Sequence, residues 1–329
     1  MTGPNGVGKT NLLEALHVGS QGFSPRTRAD AQLVRFGAPV GRVTIGGSEG
    51  GAPVESQVTL ARGEPKRVRL NGAPLTSAEE LRTRLSALVF VPDRLAVVKG
   101  GPIVRRAYLD RMLGRLWPAR GQLASAYGRA LAQRNEALRR ARAGLSGLDA
   151  VGPWTASVVE LGVELDRARA ELVRLLAPGF AERAELLGLA GAELSYEADP
   201  PSVEALEARL ESDLRRGVTS LGPHLRDAGI AAAGRDLRSY GSQGEQRTAV
   251  LALLLAEADV VSAERGRPPL LLQDDVLSEL DEDRRHALLA GLPANAQTVV
   301  TATSSDALPA SGPEPALVVR VRPGEASRA

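Results

Sequence analysis

Hydrophobic residues recur with two different periods along this chain. Between about residues 40 and 75 they alternate with polar ones: Val43 and Ile45, Val58 and Leu60, Val68 and Leu70. That is the two-residue period of a half-buried strand. Asn71-Gly72 is a strong hairpin signal, so an antiparallel sheet is expected here. Residues 85–91 read LSALVFV, a buried strand. Upstream, a glycine loop over residues 3–10 leads into a helical pattern over residues 11–18.

After Pro102 the period lengthens. Trp154, Val158, Leu161, Leu165, Ala168, Leu172 and Leu175 recur in alternating steps of four and three, the spacing of a heptad seam. Ala124, Tyr127, Leu131, Arg134, Leu138 and Ala141 do the same upstream, and GLSGLDAVGP lies between the two runs. An antiparallel helix pair is expected, roughly 35 Å long at 1.5 Å per residue. Packing on a core and protrusion as a short arm both fit this pattern. From Ser239 the chain returns to α/β character: a helix over residues 245–264, a strand over 270–273, a helix over 281–292, a strand over 298–302 and a short strand over 316–321. The fold class is α/β, with a mixed sheet around the glycine loop and a helical lobe carrying the helix pair. Residues 1–100 and 235–329 read as the first lobe and 101–234 as the second.

Composition narrows the function. The chain has 329 residues, 43% of them hydrophobic, enough for a sizeable core. It has no cysteine, which excludes a disulfide framework, a thiolate metal site and a cysteine nucleophile. No long uncharged apolar run is present, and a cytoplasmic protein is expected. The net charge of +2 does not by itself announce a nucleic-acid partner. All but three of the 41 basic residues are arginine, the exceptions being Lys9, Lys66 and Lys99, so a lysine retained in the glycine loop stands out.

Three motifs carry chemistry. GPNGVGKT, residues 3–10, fits the phosphate-binding loop pattern G-x-x-x-x-G-K-[ST]. Gly3, Pro4, Asn5, Gly6, Val7, Gly8 and the residues through Asn11 are the frame that closes around phosphates, all but Pro4 through backbone N–H groups. Lys9 reaches the β- and γ-phosphates of ATP, and the Thr10 hydroxyl ligates Mg²⁺. The helix start behind the loop adds its positive end. LLLQDDVLSELD, residues 270–281, is an apolar strand ending in two carboxylates. Asp274 is placed to hold Mg²⁺ and Asp275 to polarise an attacking water. SQGEQRT, residues 242–248, opens an apolar helix. Ser242 and Glu245 have capping-box spacing, and Ser242, Gln243, Gly244 and Glu245 together form a helix start suited to a second subunit's γ-phosphate.

The order of these motifs around a long helical insert resembles the ABC-type ATPase heads of SMC and recombination-repair proteins. Within them it most closely resembles the RecF family. The resemblance rests on KTNLLEAL (9–16), VPDRLAVVKGGPIVRRAYLD (91–110), YGSQGEQRTAVLALLLAEA (240–258) and LLLQDDVLSELDEDRR (270–285), and it covers nearly the whole chain. Only about 150 residues separate Asp93 from Ser242, too few for a long SMC arm. The resemblance puts Asp93 at the Q-loop position and matches Ser278 through Asp281 to the D-loop. It leaves Thr301 and Thr303 where transporter heads carry a histidine. It implies a weak DNA-stimulated ATPase that forms a homodimer with ATP. It implies binding to duplex DNA and to single-strand/double-strand junctions, and action with RecO and RecR in loading RecA at gaps during repair, replication and recombination. It also puts a central strand and adenine-side contacts before the loop, whereas only Met1 and Thr2 precede Gly3; a start placed too far downstream, or a shortened form, is expected, at a cost in stability.

The basic residues themselves offer two clusters, Arg62, Lys66, Arg67 and Arg69, and Arg129, Arg134, Arg139, Arg140 and Arg142. With only 3% aromatic residues, backbone contacts are favoured over base stacking. A transporter's nucleotide-binding subunit and a DNA-binding scaffold with a defective ATPase share the loop motif. The first calls for the missing histidine and a membrane partner, the second for failure to bind nucleotide.

Overall fold

The computed structural model describes residues 1–329 apart from Arg28, Gly50, Ala294 and residues 305–313, and without the side chains of Glu49, Pro92, Asp93 and Glu279. Helix α1 (Lys9–Gln21) follows the glycine loop directly. Strands β1 (Val40–Glu49), β2 (Ala52–Ala61), β3 (Arg67–Leu70) and β4 (Ala73–Pro74) form an antiparallel sheet in chain order. Asn71 and Gly72 adopt φ of 50° and 79°, the paired left-handed residues that a two-residue hairpin turn needs. The Asn71 side chain adds a bond of its own, accepting from the Glu55 N–H at 2.8 Å. Helix α2 (Ala78–Arg84) is capped by the Ser77 hydroxyl and leads into the buried strand β5 (Ala87–Phe90).

Helices α3 (Ala96–Lys99), α4 (Pro102–Leu116), α5 (Leu123–Arg142) and α6 (Gly152–Leu186) come next. The segment expected to be helical then supplies three strands among its short helices: β6 (Ala192–Tyr196), α7 (Val203–Glu207), α8 (Leu210–Arg216), β7 (Ala228–Ala232), β8 (Arg235–Asp236) and α9 (Leu237–Tyr240). The long helix α10 (Gln243–Arg265) is followed by β9 (Leu270–Gln273), α11 (Glu282–Ala290), β10 (Thr298–Val300) and the hairpin β11 (Val319–Arg322) and β12 (Glu325–Arg328). No helix among the described residues is long and apolar enough to cross a membrane.

The chain divides into two compact units, residues 1–95, 183–189 and 250–329, and residues 96–182 and 190–249. In the first unit, β5, β9 and β10 run parallel with β9 in the middle. Thr2 bridges Ala302 and Arg320, both in parallel. Leu13 of α1 packs on Val89, Val91 and Leu272 of this sheet, which fixes the glycine loop at the ends of its strands. The antiparallel sheet buries Val58, Leu60 and Val68 together with Val18 of α1 and Leu81 of α2. Alternation leaves Arg42, Arg67 and Arg69 on the opposite, exposed side.

In the second unit α5 and α6 run antiparallel. Arg134 bonds Thr155 at 3.0 Å, while Tyr127, two turns earlier on α5, lies against Gly162, two turns later on α6. The heptad reading holds in the middle, with Val158, Leu165, Ala168 and Leu172 buried, and drifts at the ends. Trp154 is exposed, and Leu176 and Phe180 take the buried place expected of Leu175. A straight helix repeats at 3.6 residues, so a 3.5-residue seam rotates off the contact line over four turns. The strands β6, β7 and β8 form an antiparallel sheet. Their alanine and glycine content hides the alternation Ala192, Leu194 and Ala228, Ile230, Ala232, all of it buried.

Candidate functional site

The glycine loop folds as an open cradle. Gly6 and Gly8 have φ of 81° and 109°, which a side chain would strain, and nothing lies within 4 Å of where their Cβ atoms would stand. Conformation, not crowding, demands glycine there. Gly3 is needed for close approach, since a Cβ would lie 2.5 Å from the Val321 carbonyl. The first N–H groups of α1, from Lys9, Thr10 and Asn11, have no partner inside the helix and face the loop's concavity with the helix dipole behind them. Lys9 is only 8% exposed, and its ammonium donates to the carbonyls of Gly3 at 2.6 Å and Pro4 at 2.9 Å. No carboxylate pairs with it among the described residues. A nearly buried cation held by neutral carbonyls beside the free N–H groups of a helix start suits a multiply charged anion.

The Asp274 carboxylate meets this loop from the far end of the sequence, with Asp275 next to it in the chain. The Thr10 hydroxyl donates to Asp274 Oδ1 at 3.1 Å across 264 residues of chain. Thr301, fully buried beside it on the strand order β9–β10, donates to the same oxygen at 2.8 Å. The Thr301 hydroxyl also accepts from the Asp275 N–H at 2.8 Å. One hydroxyl thus fixes the Asp274 carboxylate and the Asp275 backbone together. Asp275 is in the left-handed region, φ 50° and ψ 26°, and its carbonyl accepts from the Ser278 hydroxyl at 2.9 Å. Strain of this kind persists only where the surroundings hold it. Asp281 caps α11 by accepting from the Arg284 N–H at 2.9 Å, and Arg285 donates to the Leu277 carbonyl at 2.7 Å, so the segment after the two carboxylates is tied at both ends. A carboxylate and a hydroxyl 3.1 Å apart, with no cation on the carboxylate among the described residues, suit a hard oxygen-seeking ion such as Mg²⁺.

The third motif lies in the second unit. The Ser242 N–H donates to Glu245 Oε2 at 2.7 Å and the Glu245 N–H to the Ser242 hydroxyl at 3.2 Å, a complete capping box. Gln246 donates to the Leu237 carbonyl at 2.8 Å and anchors the helix start, leaving Ser242 and Gln243 exposed. Asp93 lies in the turn after β5, and its side chain is outside the described set.

Two expected DNA contacts are corrected. Lys66 turns back to donate to the Gly22 carbonyl at 2.9 Å and pairs with Asp30 at 3.0 Å. Arg134 is fully buried, with Asp213 at 2.9 Å and Thr219 at 2.7 Å; its place on the heptad seam was the signal that it faces inward. Sequence reasoning took Thr301 only for the place without a histidine. Its grip on the Asp274 carboxylate and the Asp275 backbone comes from strand adjacency, which no local pattern announces.

No protein-family model matches the chain. A DNA replication and repair protein RecF from Anaeromyxobacter dehalogenans is 41% identical over 348 residues, which covers 99% of this chain and 92% of that protein. The solved structure of a recombination mediator protein RecF with ATP, from the RecFOR pathway, superposes with a TM-score of 0.84 at 28% identity, covering all of this chain and 90% of that one. The Smc head domain of Pyrococcus furiosus, 15% identical with a TM-score of 0.55, shares the fold. With its glycine-loop cradle on an ABC-type ATPase head and these relatives along its whole length, the chain belongs to the RecF family.

Proposed function

We propose that this chain is a DNA-repair ATPase whose hydrolysis site is completed by a second copy. The observation that carries the reading is the contact between Thr10 and Asp274 beside a buried Lys9 that has no counter-ion among the described residues. Lys9 and the N–H groups from Gly3 to Asn11 bind the phosphates of ATP. Thr10 and Asp274 would hold Mg²⁺, which supplies charge neutralisation on the phosphate oxygens. Asp275, pinned through Thr301, takes the proton from the attacking water. Ser242, Gln243, Gly244 and Glu245 of the second copy offer their helix start to the γ-phosphate, and Ser278–Asp281 serve as the D-loop. ATP then holds two heads together and hydrolysis releases them. Asp93 serves as the Q-loop residue.

The relatives support DNA repair as the setting. Within it, this reading gives the chain duplex DNA and strand junctions as ligands, weak DNA-stimulated turnover, and action with RecO and RecR where RecA is loaded at gaps. Lys9→Ala should abolish binding of a fluorescent ATP analogue; unchanged binding refutes the loop assignment. Asp275→Asn keeps the fold and Asp274, so ATP-bound dimers should accumulate by light scattering. A monomeric Asp275→Asn protein at micromolar concentration with ATP and Mg²⁺ contradicts the two-copy site.

A further inference from the structure

The sheet β1–β4 turns a patterned polar face away from α1 and α2. Its register sets Arg42, Thr59 and Arg67 side by side across three strands, and Thr44, Gln57 and Arg69 in the next row. Strand spacing near 4.8 Å and a rise near 3.3 Å per residue put Arg42 and Arg67 about 10 Å apart, and Arg67 and Arg69 about 7 Å apart, in the same plane. All three arginines are exposed. Arg67 shares a solvent-exposed pair with Glu64 at 3.4 Å. Arg42 and Arg69 have no carboxylate partner among the described residues. Glu55 is the acid that shares this face on β2, and it sits toward the far end, where its N–H bonds Asn71.

Beside the other end stands a tight turn. The Ala38 N–H bonds the Arg35 carbonyl at 3.0 Å, and Gly37, at φ 81°, supplies the left-handed residue such a turn needs. Val34 anchors the turn in the core, and Arg62 N–H bonds Pro39 O at 3.4 Å, holding it to the end of β2. Phe36 sits at the tip and is 96% exposed. A single exposed apolar side chain is ordinary. This one is held out by a rigid turn, follows Arg35, and lies near the start of the arginine rows, yet it contributes nothing to the core.

We propose that this face and Phe36 bind interrupted duplex DNA: Arg42, Arg67 and Arg69 take backbone phosphates, and the Phe36 ring stacks on a base left without a neighbour at a gap or end. The proposal rests on the DNA-binding reading above and deepens it. Guanidinium groups spread over a flat face match the phosphate backbone without reading sequence. Inside continuous duplex every base is stacked on both sides. A phenyl ring therefore finds an open base face only where the duplex is broken, and stacking is tolerant of base identity.

The test is anisotropy titration of gapped and continuous duplexes of equal length, with both ends closed by hairpin loops so that the gap alone opens a base face, with ATP and Mg²⁺, over a salt series. Phe36→Ala should weaken binding to the gapped duplex about 5- to 150-fold and leave continuous duplex unchanged, and Phe36→Trp should keep the preference. Arg69→Ala and Arg42→Ala should weaken both DNAs alike and lower the salt slope by about one each, whereas Lys66→Ala should not. An unchanged ratio of gapped to continuous affinity in Phe36→Ala overturns the proposal. So does loss of the ATP-dependent dimer in that variant, which would make Phe36 a protein contact. Wild-type protein that binds neither DNA removes the DNA reading itself, a result distinct from either.

Discussion

Arg134→Met tests the interior of the second unit. The Arg134 and Asp213 side chains are 1% and 0% exposed and lie 2.9 Å apart. Arg134 also donates to Thr155 and Thr219, and Asp213 also accepts from the Ser220 N–H at 3.1 Å. Removing the guanidinium leaves a carboxylate with no route to water, which costs about 3–5 kcal/mol, a large share of the 5–15 kcal/mol that typically stabilises a domain. Both tryptophans, Trp117 and Trp154, belong to this unit, so tryptophan fluorescence in urea follows its unfolding selectively. The midpoint should fall sharply in Arg134→Met and recover in large part when Asp213→Asn is added, because Asn keeps the acceptor for Ser220 and buries no charge. The salt dependence of DNA binding should not move in either protein. A cost below about 1 kcal/mol, no recovery in the double variant, or a reduced salt slope would refute the assignment of Arg134 as a buried structural cation.

Thr301→Val preserves shape but removes the hydroxyl that holds the Asp274 carboxylate and the Asp275 backbone N–H. ATP turnover should fall at least about tenfold, matching the loss of roughly one to two hydrogen bonds, while ATP binding changes little; unchanged turnover would show that the grip does not matter. His224 gives a pH signature. Its Nε2 faces the Thr219 carbonyl at 3.1 Å, which can only accept, so Nε2 carries the proton and Nδ1 accepts from the Tyr127 hydroxyl at 2.7 Å. Burial holds the imidazolium below its ordinary value of 6.5, with the Thr219 carbonyl opposing. The unfolded chain therefore takes up a proton that the folded one resists. The stabilising contribution is present above pH 6.5 and is lost as pH falls from there through the lower folded value. His224→Gln should flatten that decline in the tryptophan-monitored unfolding, and an identical decline in the variant would assign it elsewhere.

Local chemistry was legible where local chemistry decides. Asn71-Gly72 makes its turn because two left-handed residues suffice, and Ser242 with Glu245 makes its box because both partners lie within one helical turn. The glycine loop's backbone reads directly because its glycines meet a conformational requirement. What escaped depends on neighbours distant in sequence. Thr301 acquires its role because β10 lies next to β9. Lys66 precedes two outward arginines but sits in the turn before β3, from which its ammonium reaches back to Asp30. The strands β6 and β7 were hidden by small residues, since alanine and glycine alternate without the contrast in hydropathy that marks a strand. Arg134 was legible in part: its heptad position pointed inward, its charge pointed outward, and Asp213, 79 residues away, decided between them.

Complementation tests the two-copy hydrolysis site most directly. Ser242→Arg keeps Lys9, Thr10, Asp274 and Asp275 but blocks the helix start offered to a partner, and Asp275→Asn keeps that helix start but lacks the base. Each variant alone should turn over ATP slowly. Mixed in equal amounts, they should recover a substantial part of wild-type turnover, because one of the two sites in a mixed dimer joins an intact loop and base from one chain to an intact helix start from the other. A mixture no faster than the sum of its parts would contradict a site built from two copies.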